Sequence, residues 1–377
     1  MIDARSPSPA RKPPAQATRH ARVAAGLAEL ERWLADQIRL GLGQAGAPEW
    51  DELAKRLIDA QAPGPAAVAS GLAAVRAGAS WPGALLGEYA LLALLAVAYR
   101  RRETLPPPLA QTVLTRVGFT TSRESVLTAG ARVRDRWLVL GMRDDVLDQV
   151  TGRHVWLRGS RTSRAAVLLT YTPHGQALGP APVAGGRMDA TLAFYPGAAP
   201  LRALVAPSSE AGAADDTRLG RTSPEAGWAE HVPGSAEDMR GSAEDVPGWP
   251  EHVPDSADDL PDWAGDLLGS VEHVLGSVDD LPAGMPSAVA ASVDDALAEV
   301  AEALAADPWT DSWPLLLAGV VPERTTLGGL PLHPACVDPW RLIAVSGGEP
   351  VTAAVEWTPQ GLRPLTVWDD EGRAVTL

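Results

Sequence analysis

Apolar and polar positions recur along this chain with two different periods, and the change of period divides it. From residue 21 to about 118 the spacing is helical. Leu27, Leu30, Leu34 and Ile38 follow one another at three- and four-residue steps, and Trp33 widens the stripe they form. Residues 50–62 and 82–101 predict further helices, separated by Pro-Gly-Pro at 63–65 and Pro-Pro-Pro at 106–108. The expected product is an antiparallel helical bundle over 21–118.

After Phe119 the apolar residues come in short runs bounded by Gly, Pro and Asp: RDRWLVLG, HVWLRGS, AAVLLTYTP, DATLAFYPG and PLRALVA. Such runs predict a mainly antiparallel β-rich region over 119–206. The same texture returns in WPLLLAGVVP, RLIAVSG, PVTAAVEW and LRPLTVWD. Ser292, with Asp294 and Asp295 after it, predicts the N-cap of a helix through VDDALAEVAEALA, so 292–377 reads as a helix plus a β-rich C-terminal region. The fold class expected is α+β, with the two β-rich stretches building one sheet system and a segment looped out of it.

That segment, 207–291, carries a degenerate repeat: Glu-His-Val begins at Glu230, Glu251 and Glu272, a period of 21, each time followed by an acidic cluster. Prolines such as Pro233, Pro254 and Pro261 exclude a continuous coiled coil, and the units are too polar to stack as a solenoid. The expectation is an acidic, low-complexity, disordered insert. It also redistributes the charge. From Glu225 to Glu299 there are eighteen Asp and Glu against Arg240 alone, so this stretch accounts for the whole net charge of −15 and leaves the rest nearly neutral. Residues 1–20, basic and proline-rich, read as a disordered linker. With a single cysteine and no apolar leader in that tail, the expected location is a reducing cytoplasm.

Several segments carry a family resemblance. ARVAAGLAELERWLADQIRLGL at 21–42 resembles the helix that follows the finger in bacterial SWIM zinc finger family proteins. The likeness continues through EWDELAKRLIDAQAPG (49–64), VRDRWLVLG (133–141), LAFYPGAAPLRALV (192–205), LAADPWTDSWPLLLAGVVP (304–322) and WRLIAVSGGEPVTAAVEW (340–357). The resemblance implies a Cys-x-Cys…Cys-x-His finger on the N-terminal side of this helix, and a finger that binds DNA or protein. Cys336 is the only cysteine, so zinc binding is carried over to no residue here, and no cofactor is expected in this chain. We expect the finger to lie upstream of this start, with 1–20 as the stump of its linker; the other reading is a protein that works without it. Lysine at only Lys12 and Lys55 suggests a coding sequence rich in G and C, hence an actinobacterial source. The implied role is a non-catalytic scaffold or adaptor that binds protein or nucleic acid.

The remaining signals are weighed against that role. The apolar run from Trp81 to Tyr99 is broken by Glu88, and its uninterrupted part is shorter than the roughly 20 residues a membrane span needs, so a bundle helix is expected and no membrane. GLGQAG at 41–46 ends a helix where a dinucleotide fingerprint must open one. There is no G-x-S-x-G and no HExxH. His333 and Cys336 lack further ligand partners and read as loop packing; His231, His252 and His273 read as part of a solvated acidic tract. Asp144 with Asp145, and Asp369 with Asp370, read as turn residues. The candidate binding residues are arginines. Arg132, Arg134 and Arg136 alternate and share one face of a strand, and Arg158, Arg161 and Arg164 follow in a polar turn. If the two sets meet, they form a patch for phosphates or an acidic partner, the insert included. The alternative to an adaptor is a hydrolase or transferase with a pocket in the β region, perturbed carboxylates, and His154 and His174 facing inward.

One prediction follows from composition alone. Removing residues 227–286 is expected to leave the melting temperature unchanged within about 2 °C, because a segment without a core contributes no packing; a larger drop in a calorimetric scan overturns that reading.

Overall fold

The computed structural model of the protein describes residues 15–207 and 290–377, apart from 79, 148–149, 174–175, 177, 337–338 and 370. The acidic repeats therefore lie outside the described residues. Five helices form the N-terminal bundle: α1 (Ala15–Leu40), α2 (Ala47–Asp59), α3 (Pro63–Ala77), α4 (Trp81–Arg100) and α5 (Pro107–Val117). Pro63 and Pro107 open α3 and α5, positions where a helix has no use for the missing N–H. Val23, Leu27, Leu30 and Leu34 bury the face of α1 that its spacing predicts. At its centre the Trp50 indole donates to the Tyr89 hydroxyl at 2.9 Å, and Trp33 meets the Tyr89 ring edge-on.

Two expectations about α1 are corrected. Ile38 is 53% exposed, because the buried position in the last turn of the helix before Gly41 (φ +101) is Gln37. At the other end the helix starts at Ala15, so residues 15–20 belong to the bundle and not to a linker spanning 1–20. The cause is an aromatic dock. The Arg19 guanidinium lies 4.2 Å from the Phe119 ring centroid and donates to the Gly118 carbonyl, while His20 stacks on Phe119 at 4.6 Å. Helix α4 is, among the described residues, long and apolar enough by composition to cross a membrane. One face of it, with Leu85, Tyr89, Leu92 and Tyr99, is bundle core, and Leu86 and Leu94 on the other are exposed.

After a short helix α6 (Arg123–Ala129), strands β1 (Ala131–Leu147), β2 (Val150–Gly159), β3 (Ala165–Pro173), β4 (Arg187–Phe194) and β5 (Arg202–Val205) close a barrel in the order β1-β2-β3-β5-β4. The pairs are antiparallel except β3 with β5, which run parallel. Strand β1 closes the barrel by pairing β4 with its first half and β2 with its second, bending at a bulge next to Gly141. Trp137, Val139, Val155, Leu157, Leu192 and Phe194 fill the interior. The connectivity is that of a small OB-type Greek-key barrel.

The C-terminal part comprises α7 (Val293–Ala306), β6 (Trp313–Val320), the short strands β7 (Thr326–Leu327) and β8 (Leu330–Pro331), α8 (Trp340–Ser346), β9 (Val351–Thr358), β10 (Gly361–Trp368) and β11 (Ala374–Thr376). Ser292 caps α7 as expected, its hydroxyl accepting from the Asp295 N–H. Strands β11-β10-β9-β6 make an antiparallel sheet hydrogen-bonded separately from the barrel, which corrects the expectation of one sheet system. What unites the two is a shared core. One sheet face takes α7 and α8 through Ala296, Val300 and Leu342. The other sets Leu316, Ala354, Leu365 and Trp368 against Leu138, Leu140, Trp156 and Val167 on the outside of β1, β2 and β3. The bundle joins this unit through Trp309, whose indole donates to the Leu91 carbonyl at 3.0 Å, and through Thr112 of α5, which accepts from the Ala198 N–H at 2.9 Å.

At Gly141 the sheet packs close on the barrel backbone: a Cβ there would stand 2.7 Å from Leu365 Cβ and 3.2 Å from Thr366 Oγ1, at a φ of +151°. Gly141→Val is therefore expected to cost at least about 1–3 kcal/mol in a urea titration, the usual penalty of overpacking; an unchanged midpoint counts against this seam.

Candidate functional site

The two arginine sets do meet, and a carboxylate organises the meeting. Asp135 lies between Arg134 and Arg136 on β1 but points the opposite way, with a fully buried side chain. It accepts from the backbone N–H groups of Arg136 (2.7 Å), Arg161 (3.1 Å) and Thr162 (2.9 Å) and from the Thr162 hydroxyl (2.6 Å). Burial works to raise its pKa, but these hydrogen bonds outweigh it and hold the carboxyl below its ordinary value. The turn from Gly159 to Arg164 is thus wrapped around one anion. Gly159 has no room for a side chain, since a Cβ would stand 2.6 Å from the Asp135 carboxylate.

With Asp135 turned inward, Arg132, Arg134 and Arg136 are all exposed on the outer face of β1, as their alternation predicts. Among the described residues none of the three forms an ion pair; Arg132 donates to the Leu127 carbonyl. Arg161 extends the strip, with its guanidinium between Asp135 and the Arg134 carbonyl. The other two predicted arginines do structural work instead. Arg158 is buried and makes a two-pronged pair with Glu299 of α7, both contacts 2.6 Å, while Glu299 also accepts from the Trp313 indole. The Arg164 guanidinium lies 4.4 Å from the Phe194 ring centroid, over the end of the barrel core. The exposed strip therefore consists of Arg132, Arg134, Arg136 and Arg161.

A second cluster sits in the seam between barrel and sheet. Glu356 of β9, with a side chain 2% exposed, contacts Arg143 of β1 at 3.3 Å and Arg363 of β10 at 3.7 Å. Arg143 also reaches Asp145 at 3.1 Å, and Asp145 reaches the His154 ring at 3.2 Å. His333 closes the far end, 3.0 Å from Arg363. Burial is the largest influence on Glu356; with Asp145 and Asp311 nearby it overrides Arg143 and Ser312 and lifts the carboxyl to about 7. Burial also holds His154 below its ordinary value, against the pull of Asp145. Asp144 and Asp145 are strand residues, not the turn residues their adjacency suggests: β1 continues through both, and each serves a different network, Asp144 pairing with Arg153. His174, His231, His252 and His273 lie outside the described residues, and the described residues include no cluster suited to a metal ion. The His333 ring accepts from the Ala335 N–H, in keeping with the packing role expected of that loop.

Glu356 was not singled out by sequence. It follows Val-Thr-Ala-Ala-Val in a run that is otherwise buried, and a lone carboxylate in such a run is the signal that points to it.

Residues 18–117, the helices α1 to α5, match the family model of the SWIM-associated four-helix bundle domain. This agrees with the resemblance seen in that part of the chain. No curated protein and no solved structure matches the chain.

Glu356 makes stability depend on pH. Folding raises its pKa from 4.5 to about 7, so between those values the native state holds a proton that the unfolded chain has lost. Stability is then expected to fall by about 2 kcal/mol as pH rises from 5 to 8. In Glu356→Gln that component is expected to vanish; urea titrations at both pH values check it, and an unchanged slope in the variant removes Glu356 as its source.

Proposed function

We propose that this chain is a non-catalytic scaffold of a SWIM family protein, working in the cytoplasm, whose β1 arginine strip binds an acidic segment of a protein partner. The observation that carries the reading is the strip itself: three exposed guanidiniums two residues apart on one strand face, unpaired among the described residues and backed by a turn built around Asp135. Guanidiniums held on a rigid strand keep their spacing and meet carboxylates in a planar, two-pronged fashion. The strand backbone is already ordered, so only the arginine side chains lose freedom on binding.

A protein partner is favoured over nucleic acid by how the barrel is used. In OB-type barrels the outer face of strands 2 and 3 and the loop between strands 4 and 5 hold oligonucleotides. Here Trp156 and Val167 on that face are buried under the C-terminal sheet. The segment between β4 and β5 docks on the bundle through Ala198 and Thr112. Zinc binding belongs to the reading only if the full-length product carries a Cys-x-Cys…Cys-x-His finger ahead of these residues.

The acidic segment of the same chain is a natural competitor. It follows β5, whose last neighbour Ala206 donates its N–H to Thr191, the residue cross-strand from Arg134. A tethered ligand acts at high effective concentration, so an incoming partner must displace it or exceed it in charge.

The enzyme reading rests on Glu356 and His154, the perturbed carboxylate and inward histidine it requires. Glu356 is closed off at 2% exposure between two arginines, a setting that holds layers together more readily than it admits a substrate.

The test uses the full chain, a labelled peptide EHVPDSADD, and a single-stranded DNA oligonucleotide of matched charge. Reversing Arg132, Arg134 and Arg136 to Glu is expected to weaken peptide binding about tenfold or more, at roughly 0.5 kcal/mol for each exposed pair, with the circular dichroism spectrum retained. Unchanged peptide binding sinks the strip as the site, and tighter binding of the DNA than of the peptide sinks the choice of partner.

A further inference from the structure

The barrel wall is incomplete at one place. Strand β5 has four residues and pairs with β3 only through Val167 and Leu168, whereas β3 continues to Pro173. Beyond Leu168 and Ala203 the two strands no longer bridge, and a cavity of about 80 Å³ opens into the interior. Its walls are Val139, Val155, Leu157, Leu168, Met188 and Ala203, so it is apolar.

Two arginines, Arg123 and Arg153, also line it, and they are not equivalent. Arg153 is committed: it holds Asp144 with two contacts of 2.8 Å and donates its third to the Gly179 carbonyl. Arg123, the first residue of α6, forms no hydrogen bond or ion pair through its guanidinium among the described residues. A cation with no counter-charge beside a largely apolar space selects one kind of ligand, in which an apolar tail ends in a planar anion.

We propose that this cavity is a binding site for short aliphatic carboxylates, the tail entering the barrel and the carboxylate meeting Arg123. A space of about 80 Å³ admits a short aliphatic tail, as in butyrate or isobutyrate. Acetate has almost no tail to bury there. An alcohol of the same length fills it but leaves Arg123 without an anion. Inorganic phosphate offers the charge and no tail. The site is separate from the β1 arginine strip and does not depend on what that strip binds.

Calorimetric titration of the full chain with butyrate is expected to show saturable 1:1 binding in the millimolar range or tighter, with acetate, 1-propanol and phosphate at least tenfold weaker. Arg123→Gln is expected to remove at least tenfold of the butyrate affinity and to leave the melting temperature unchanged. Ala203→Leu, which fills the space from within, is expected to abolish binding, while reversal of Arg132, Arg134 and Arg136 leaves it intact. No saturable heat with butyrate at tens of millimolar overturns the proposal. So does equal affinity for 1-propanol and butyrate, or undiminished binding by Arg123→Gln.

Discussion

The β half of this protein depends on two apolar surfaces that cannot be left in water. Leu138, Leu140, Trp156 and Val167 stand on the outside of the barrel, and Leu316, Ala354, Leu365 and Trp368 on one face of the C-terminal sheet. Trp156 and Trp368 are each 1% exposed in the joined structure, and a buried tryptophan removes on the order of 200 Å² from solvent. Strand β9 has both faces covered, by the helices α7 and α8 on one side and by the barrel on the other. Placing Glu356 in the middle of that contact works against burial, and the cost is limited because Arg143 and Arg363 converge on it. Arg143 in turn is shared with Asp145, so a chain of polar contacts runs from His154 to His333 across the two layers.

Local signals carried much of the fold and stopped where partners are distant. The leucine spacing of α1 and the Ser292 cap each act within a turn or two of helix, and each is where the sequence places it, whereas the prolines at 63–65 and 106–108, read as breaks between helices, open α3 and α5. The start of α1 escaped notice because its stabiliser, Phe119, is about a hundred residues away. The same holds for the arginines. Alternation correctly puts Arg132, Arg134 and Arg136 on one face, but nothing around Arg158 announces Glu299, 141 residues further on. The parallel pairing of β3 with β5 is equally silent, since a strand's own pattern says which face is buried and not which neighbour it meets.

The division of labour among the arginines follows from burial. A guanidinium stays charged, so wherever it is enclosed it must be matched, as Arg158 is by Glu299 and Arg143 by Glu356 and Asp145. Arg132, Arg134 and Arg136, left in water, remain open to an outside ligand. The outer faces of β2 and β3 are covered by the sheet and the segment between β4 and β5 docks on the bundle, while the first half of β1 faces outward with Arg132, Arg134 and Arg136 outside any ion pair among the described residues.

The two sides of the seam are encoded far apart, and this orders events during synthesis. The barrel is complete in sequence at Val205 of β5, and the first fully buried residue that the sheet adds to the seam is Leu316 on β6. At about 5–20 residues per second the ribosome needs on the order of ten seconds to cover that distance. For that interval the nascent barrel displays Trp156 and its apolar neighbours with no sheet to cover them, while the segment being made carries nearly all of the chain's excess negative charge. Like charge on successive chains of a polysome keeps them apart during the period when each is most prone to stick to the next.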